Sequence, residues 1–569
     1  MSGKRVATSF LAAAMAVGTL SSAAFAENGT VDPADLNWEK PEETINISVY
    51  AGEGDQEEFL ADENGGKAVM DEWLLENLNV TFDWQYMTGD MTERLNLMLA
   101  DNSYPSVITN MPDDMAEKFI AQGKAVDLTE YLDDMPNLTR RMGDYINMLK
   151  DDEGHIYKLS TLWGENPNVA GLDFGVRWDY YLELGEEKMY ETPQEYIEVM
   201  KKILANHPTN DAGQTTYAFT SDNQGKSFLN AMLGAYGFVN GYKLNEETGE
   251  FTHWLNTDEG LEIAKLVNQM YREGLIDPDY QSVDYETYIS KLANGQVLGN
   301  FGTWWCAWVG GHQTWAVQEG DDYDKNKRFA NVSVHGEGMS MEDTSLLTSN
   351  YVGSYRMIIT DKATEEEIQG IVKYLNWEAS ELGTFIMGFG APREENVWKI
   401  DDDGTWLFDD EIMNVDTKDT TYHSVKNHYA CEYWVAICGQ WLKSDGRSVF
   451  DKIDPRVDRV SIYDYWPVNE DGSFADEGIN ICWGNYTAPA KDTTMYQTTF
   501  NSRDMIATIK QMVDDTITSS WAEIINSASE EDCIAAFEAA RDNCNAMGLE
   551  ELTDYYENSY KANVEKYEG

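Results

Sequence analysis

The chain has 569 residues and carries 101 acidic against 41 basic side chains, a formal net charge of -60 at pH 7. A field of that sign repels phosphate backbones and anionic lipid headgroups, so nucleic acid is excluded as a partner. The 18 Trp, 32 Tyr and 19 Phe supply ample apolar area, which excludes a disordered acidic chain, and the length predicts two lobes, because single cores stop growing near about 250–300 residues.

Residues 1–26 follow the plan of a secretory signal peptide: Lys4 and Arg5, an apolar core from Val6 to about Leu20, and the small-x-small site Ala24, Phe25, Ala26. The mature start is expected at Glu27, and the protein is expected to be exported. The apolar core is shorter than the ~18–20 residues a membrane span needs. Residues 27–43 are polar, contain Pro33 and Pro41 and read as an extended leader. Residues 45–50 then alternate apolar and polar as a strand does, 58–77 read as a helix and 80–84 as a second strand, a βαβ start.

Residues 91–100 form a predicted helix with Leu95, Met98 and Leu99 on one face, followed by a short strand at 106–109 and another at 156–159 that ends in a hinge at 160–163. In 174–204 an apolar run ends at Asp179, which is expected to cap the helix after it; that helix closes at Gly185. Thr192 then opens a second helix, with Pro193 at its first position and Glu195 as the capping-box partner. Residues 288–302 read as a helix followed by the strand 297–301, 365–387 as a helix, and 501–567 as helix-rich. The six cysteines, at 306, 431, 438, 482, 533 and 544, permit disulfides in an exported chain. Cys533 and Cys544 fall in one predicted helix, about 16 Å apart, too far for a bridge between them.

The segment 174–204 resembles the R-x-D-W-L-x-x-L-G … P-x-T-x-x-E pattern of extracellular solute-binding proteins that serve ABC importers, especially those for oligosaccharides. Arg177, Asp179, Leu184, Gly185, Thr192 and Glu195 match, and Tyr180 stands in the tryptophan place. Residues 91–109 are similar to the family's L-N-L-M-L-A-S-G-D-x-P-D-I block, with Tyr104 departing from it, and 124–132 are similar to its G-x-x-x-D-L-T segment. Gly388, Phe389 and Gly390 follow the family's Y-G-x-x-G place, and 522–527 and 548–562 its closing turn and helix. No match is found in 411–489. Lipoproteins of this family carry a cysteine after the cleavage point, where this chain has Glu27; the resemblance therefore implies either a free periplasmic protein or one held at the cell surface without a lipid-modified cysteine.

The resemblance implies an α/β, two-lobed periplasmic-binding-protein-like fold with a hinge and a helix-rich C-terminal region. Its expected parts are a first lobe from 44–160 and 326–400, and a second from 161–325 and 401–569, the latter including the C-terminal helices. Many relatives carry a calcium loop after the helix that holds Met200. Its matching place here is 207–215, where three of the carboxylates have become His207, Thr209 and Thr215, so that site is expected to be lost. The acidic run 401–404 fails as a calcium loop as well, since its first position would be Lys399. No metal and no cofactor is predicted.

Two-lobed α/β proteins place ligands at the carboxyl ends of strands, in the crevice between lobes. The candidate ligand-binding residues follow from that rule: Glu53 and Asp55 after the first strand, Asp113 and Asp114 after the third, Trp163 at the hinge, and Trp304, Trp305 and Trp308 after Phe301. Flat indoles suit the C–H face of a sugar ring, while carboxylates accept from its hydroxyls. No catalytic residue is nominated: G-x-S-x-G, H-E-x-x-H and C-x-x-C are absent, and the seven histidines form no cluster. The expected function is therefore that of a monomeric, extracellular or periplasmic receptor, not an enzyme, that captures an oligosaccharide for an ABC permease. A secreted glycoside hydrolase, or a receptor for a peptide or other polar solute, stays open as the alternative.

Overall fold

Strand β1 (Ile45–Ala51) sends Ile47 and Val49 to one side of a sheet and Tyr50 to the other, as its alternation requires. Helix α1 (Gly66–Leu78) leads to β2 (Val80–Tyr86), which lies parallel to β1 with Ile45 opposite Val80. Helix α2 (Met91–Asp101), capped by the Asp90 carboxylate accepting from Glu93 N, precedes β3 (Val107–Pro112), parallel on the other side of β1. Helices α3 (Asp113–Ala121) and α4 (Pro136–Met142) and the short β4 (Leu159–Ser160) complete this part of the chain. The computed structural model describes residues 38–51, 66–86, 90–386, 398–400, 406–408 and 489–568, with gaps at 152, 162–167, 187, 303–309, 312–313, 321–322, 325, 331, 354, 381, 385 and 501–503.

Strand β5 (Asn168–Gly171) runs into β6 (Asp173–Arg177), α5 (Trp178–Glu183), α6 (Pro193–Asn206) and α7 (Lys226–Ala235). A hairpin of β7 (Tyr242–Asn245) and β8 (Glu250–His253) follows, then α8 (Asp258–Arg272), α9 (Tyr285–Ala293), β9 (Gly299–Gly302), α10 (Thr314–Glu319) and β10 (Phe329–Ala330). Strands β11 (Leu347–Asn350) and β12 (Tyr355–Ile359) precede α11 (Glu365–Glu378), whose Thr364 and Glu367 form a full capping box. After the small hairpin β13 (Trp398–Ile400) and β14 (Trp406–Phe408) come β15 (Lys491–Asp492) and three helices: α12 (Met505–Asn526), α13 (Glu530–Ala546) and α14 (Leu549–Glu568).

The fold is α/β and two-lobed. One lobe is built on a five-stranded sheet of order β2-β1-β3-β12-β4, in which β12 runs antiparallel to both neighbours. Both faces are covered, one by Ile371, Tyr374 and Leu375 of α11, the other by Leu95, Met115 and Phe119. The other lobe is built on the antiparallel order β10-β6-β9, with Phe174 and Phe301 paired and packed against Tyr196, Phe219 and Phe228. The C-terminal helices pack on this second body: the Asn268 side chain donates to the carbonyls of Ile524, Ile525 and Ser527, and the Trp521 indole to Gly225 O. A third sheet, β15-β11-β5, joins the two, with β11 antiparallel to β5 and parallel to β15. Beside it Tyr145 stacks on Tyr351 at 4.6 Å and meets the tilted ring of Tyr567 at 4.9 Å, while its hydroxyl donates to Asp492 Oδ2 at 2.9 Å.

Several local expectations shift. β3 continues through Pro112, because Asn110 takes a φ of 51° and forms a bulge: on β12, Arg356 faces Met111 but Ile358 faces Ile108. β4 has two residues rather than four, since the Ile156 carbonyl is taken by Leu128 N. Asp179 is no cap; it lies in the first turn of α5, where the buried Arg177 grips it with Nε to Oδ1 at 2.9 Å and Nη2 to Oδ2 at 2.6 Å. Thr192 does cap α6, accepting from Glu195 N, but the Glu195 carboxylate reaches one residue further back, to Glu191 N. Thr192→Ala is accordingly expected to cost about 1 kcal/mol, read as a shift of the urea midpoint at unchanged slope. Cys533 and Cys544 share α13 as free, buried thiols, both pushed up to about 11 by burial.

Candidate functional site

The parallel strands β1 and β3 and the short β4 end on one side of the first sheet, where β12 begins. There Asp113, the first residue of α3, follows Pro112 directly, because the bulge at Asn110 lets β3 run into the helix without a loop. Its Oδ1 accepts from Arg356 Nε at 2.5 Å and from Lys158 Nζ at 2.7 Å. Burial raises the pKa of this carboxyl, but Arg356 and Lys158 together outweigh burial and hold it below the ordinary carboxylate range. The start of a helix favours the same charge. Lys158 also reaches Glu117 Oε1 at 2.5 Å.

The guanidinium of Arg356 organises the rest of the cluster. Its Nη1 donates to Ser160 Oγ, Val352 O, Gly353 O and Tyr355 O, at 3.0 to 3.3 Å. One side chain thereby ties the ends of β3, β4 and β12 to the segment that leaves β11. Sequence reasoning passed over both Lys158 and Arg356. The available signal was scarcity: with 41 cations against 101 anions, a basic residue at a strand end is an unusual placement.

Of the eight residues nominated from sequence, Asp113 and Asp114 are adjacent at the start of α3 but differ in setting. Asp114 is 63% exposed and pairs with Lys118 one turn on at 3.6 Å, a contact of little energetic weight. Asp113 is drawn into the buried cluster. Glu53, Asp55, Trp163, Trp304, Trp305 and Trp308 lie outside the described residues.

On the second sheet, β9 delivers the chain at Gly302 into the indole-bearing segment, and Gly302 is paired with Asp173 at the start of β6. Asp173 is fully buried, and its Oδ1 accepts from Asn300 Nδ2 at 3.3 Å. A side chain at Gly175 would meet Asn300 Oδ1 at 1.7 Å, so the bare glycine is what allows the amide to lie across β6. Burial drives the Asp173 carboxyl well above the ordinary range.

Residues 207–215, the place of the relatives' calcium loop, are closed from within. Asn210 Oδ1 accepts from the backbone of Ala212 and Gln214, its Nδ2 donates to Asn294 O, and His207 stacks on Tyr180 at 3.6 Å while meeting Glu183 at 2.8 Å. Among the described residues no group of three or more His, Cys, Asp or Glu is arranged to hold a metal ion, and no helix is long and apolar enough to cross a membrane.

No family model matches the chain. Over 246 residues it is 24% identical to the fructooligosaccharide ABC transporter substrate-binding protein FusA of Streptococcus pneumoniae serotype 4, a match that spans 41% of this chain and 45% of that relative. Solved structures match over nearly the whole length. An extracellular solute-binding protein from Bifidobacterium longum subsp. infantis aligns over 92% of this chain and 98% of its own at a TM-score of 0.60 and 16% identity. FusA of S. pneumoniae in complex with kestose aligns over 91% and 99% at 0.57 and 16%, and the alginate-binding protein AlgQ2 over 92% and 99% at 0.54 and 14%. At these identities the likeness establishes the fold.

Proposed function

We propose that this chain, which has the two-lobed fold of the solute-binding proteins of ABC importers, is an extracellular receptor that captures an oligosaccharide between its lobes. The observation that carries the reading is convergence on one protein: FusA is both a sequence relative and, holding kestose, a whole-length structural relative. A fructooligosaccharide is therefore the first ligand to try. The pair of Asp113 and Arg356, with Lys158 holding Asp113 from behind, suits such a ligand, since it sits at strand ends of the kind that face the crevice in this architecture.

In this reading the lobes divide at the joining sheet. The first comprises residues 44–160 and the return at 351–386, and the second 172–346 and 494–568. The second crossing then falls at β11 and not at the expected 325 to 326, because β10 still pairs with β6. Glu53, Asp55, Trp163, Trp304, Trp305 and Trp308 line the crevice, the indoles lying against the sugar face. Ligand contacts both lobes and shifts a hinge equilibrium by its differential affinity for the closed form. A membrane permease receives the ligand from the exported, monomeric protein.

The test is a thermal-shift series with kestose, nystose, maltotriose, alginate oligosaccharides and a mixture of short peptides, with product analysis of the same samples. A true ligand at a hundred times its Kd adds about 2.7 kcal/mol of stability, read as a raised Tm with the sugar recovered intact. Product formation would instead identify a hydrolase, and a shift only with peptides would move the reading to another solute class. The paired variants Trp304→Ala and Trp305→Ala are expected to abolish the shift.

A further inference from the structure

Two arginine–aspartate pairs among the described residues, each with a buried guanidinium, are made differently. In Arg177 and Asp179 both prongs are closed, Nε on Oδ1 and Nη2 on Oδ2. In Arg356 and Asp113 only Nε meets Oδ1; Lys158 takes the same Oδ1, and Nη1 is spent on Ser160 Oγ and three carbonyls. Among the described residues no hydrogen bond reaches Arg356 Nη2 or Asp113 Oδ2. The Arg356 side chain is only 8% exposed and its plane is fixed by the four acceptors on Nη1, so the unused donor has a set direction.

We infer that Arg356 and Asp113 form an open fork for a vicinal pair of sugar hydroxyls, one donating to Asp113 Oδ2 and its neighbour accepting from Arg356 Nη2. This rests on the oligosaccharide reading and names Arg356 as a ligand-contact residue within it. Charge selects the ligand class. A free anion could use Nη2 but is repelled by Asp113 and Glu117; a cation could use Oδ2 but is repelled by Arg356 and Lys158. A neutral diol supplies the one donor and one acceptor that the fork lacks, and it leaves neither charge unpaired. Because the same guanidinium holds Val352 O and Gly353 O beside the second crossing, hydroxyl recognition is coupled directly to the segment that joins the lobes.

The experiment is titration calorimetry of the full chain with kestose, nystose and maltotriose. Asp113→Asn and Arg356→Lys are each expected to weaken the sugar that wild type binds by about tenfold or more, about 1.4 kcal/mol. Lys158→Gln breaks the same ion network without touching either prong of the fork; it is expected to lower the ligand-free Tm as Asp113→Asn does, yet leave Kd within about twofold. Equal binding by wild type and Asp113→Asn overturns the fork while leaving the receptor reading intact, as does a loss of affinity in Lys158→Gln as large as that in Asp113→Asn. If wild type binds none of the sugars, the fork and the oligosaccharide reading fall together.

Discussion

Replacing Trp521 with alanine is expected to destabilise the protein by about 3–5 kcal/mol. Trp521 is among the largest fully buried side chains of the chain, and it stands at the meeting of α12 with the second lobe. Its ring meets Trp254 edge-on at 6.0 Å, and its indole N–H donates to Gly225 O at 2.9 Å. Gly225 holds a φ of 83°, and a side chain there would meet Ile525 Cδ1 at 2.9 Å, so the turn and α12 are fitted to one another. Alanine removes the ring, leaves a cavity and strands the carbonyl. Trp521→Phe keeps most of the area but not the donor, and is expected to cost about 1–3 kcal/mol. Urea unfolding followed by far-UV circular dichroism measures both. An alanine variant with the wild-type midpoint would mean that the C-terminal helices do not share the core of the second lobe.

The second large effect depends on pH. Asp173 Oδ2 and Asn300 Oδ1 are buried with no hydrogen-bond partner, and they belong to two residues already joined by Asn300 Nδ2 donating to Asp173 Oδ1. One proton on Asp173 gives the pair the donor it lacks. Among the described residues no cation compensates the carboxylate: Arg177 is engaged by Asp179, and the nearby Tyr190 and Tyr196 are themselves held neutral by burial, with their hydroxyls on Phe174 O and Gly175 O. The folded-state pKa is raised above the unfolded value of about 3.9. The stability contributed by this carboxyl is therefore fully present below about pH 4 and is lost as pH rises toward the folded pKa, with a slope approaching about 1.4 kcal/mol per pH unit.

Asp173→Asn supplies the missing donor as an amide that does not titrate. The variant is expected to match wild type near pH 3.5 and to exceed it increasingly above pH 4. Chemical denaturation at a series of pH values measures the difference. A difference that stays constant with pH would show that Asp173 is ionised in the folded protein.

The parts of this molecule legible in its sequence are those whose signals are local. The alternation of 45–50, the helix marked by Leu95, Met98 and Leu99, and the Thr192-Pro193 opening all became the elements they announce. The strand expected at 106–109 runs on to Pro112 because Asn110, a residue that tolerates left-handed backbone, forms a bulge within it. The cluster around Asp113 was illegible for a different reason: its partners Lys158 and Arg356 lie 45 and 243 residues away, and nothing in the neighbourhood of any one of them indicates the others. Asp179 followed the same rule in miniature, since the neighbouring arginine outweighed its ordinary use as a cap.

The joining sheet has a consequence for the order in which the molecule can be assembled. Its three strands come from 168–171, 347–350 and 491–492, so each lobe is interrupted by the other along the chain. The first sheet lacks β12 until residue 359 has been made, and the second lobe lacks the helices that seal it until α14 is complete. The contact of Tyr567 with Tyr145 closes across about three-quarters of the polypeptide. Neither half can be cut out as a continuous fragment, and the sheet that joins them is complete only once residue 492 has been made.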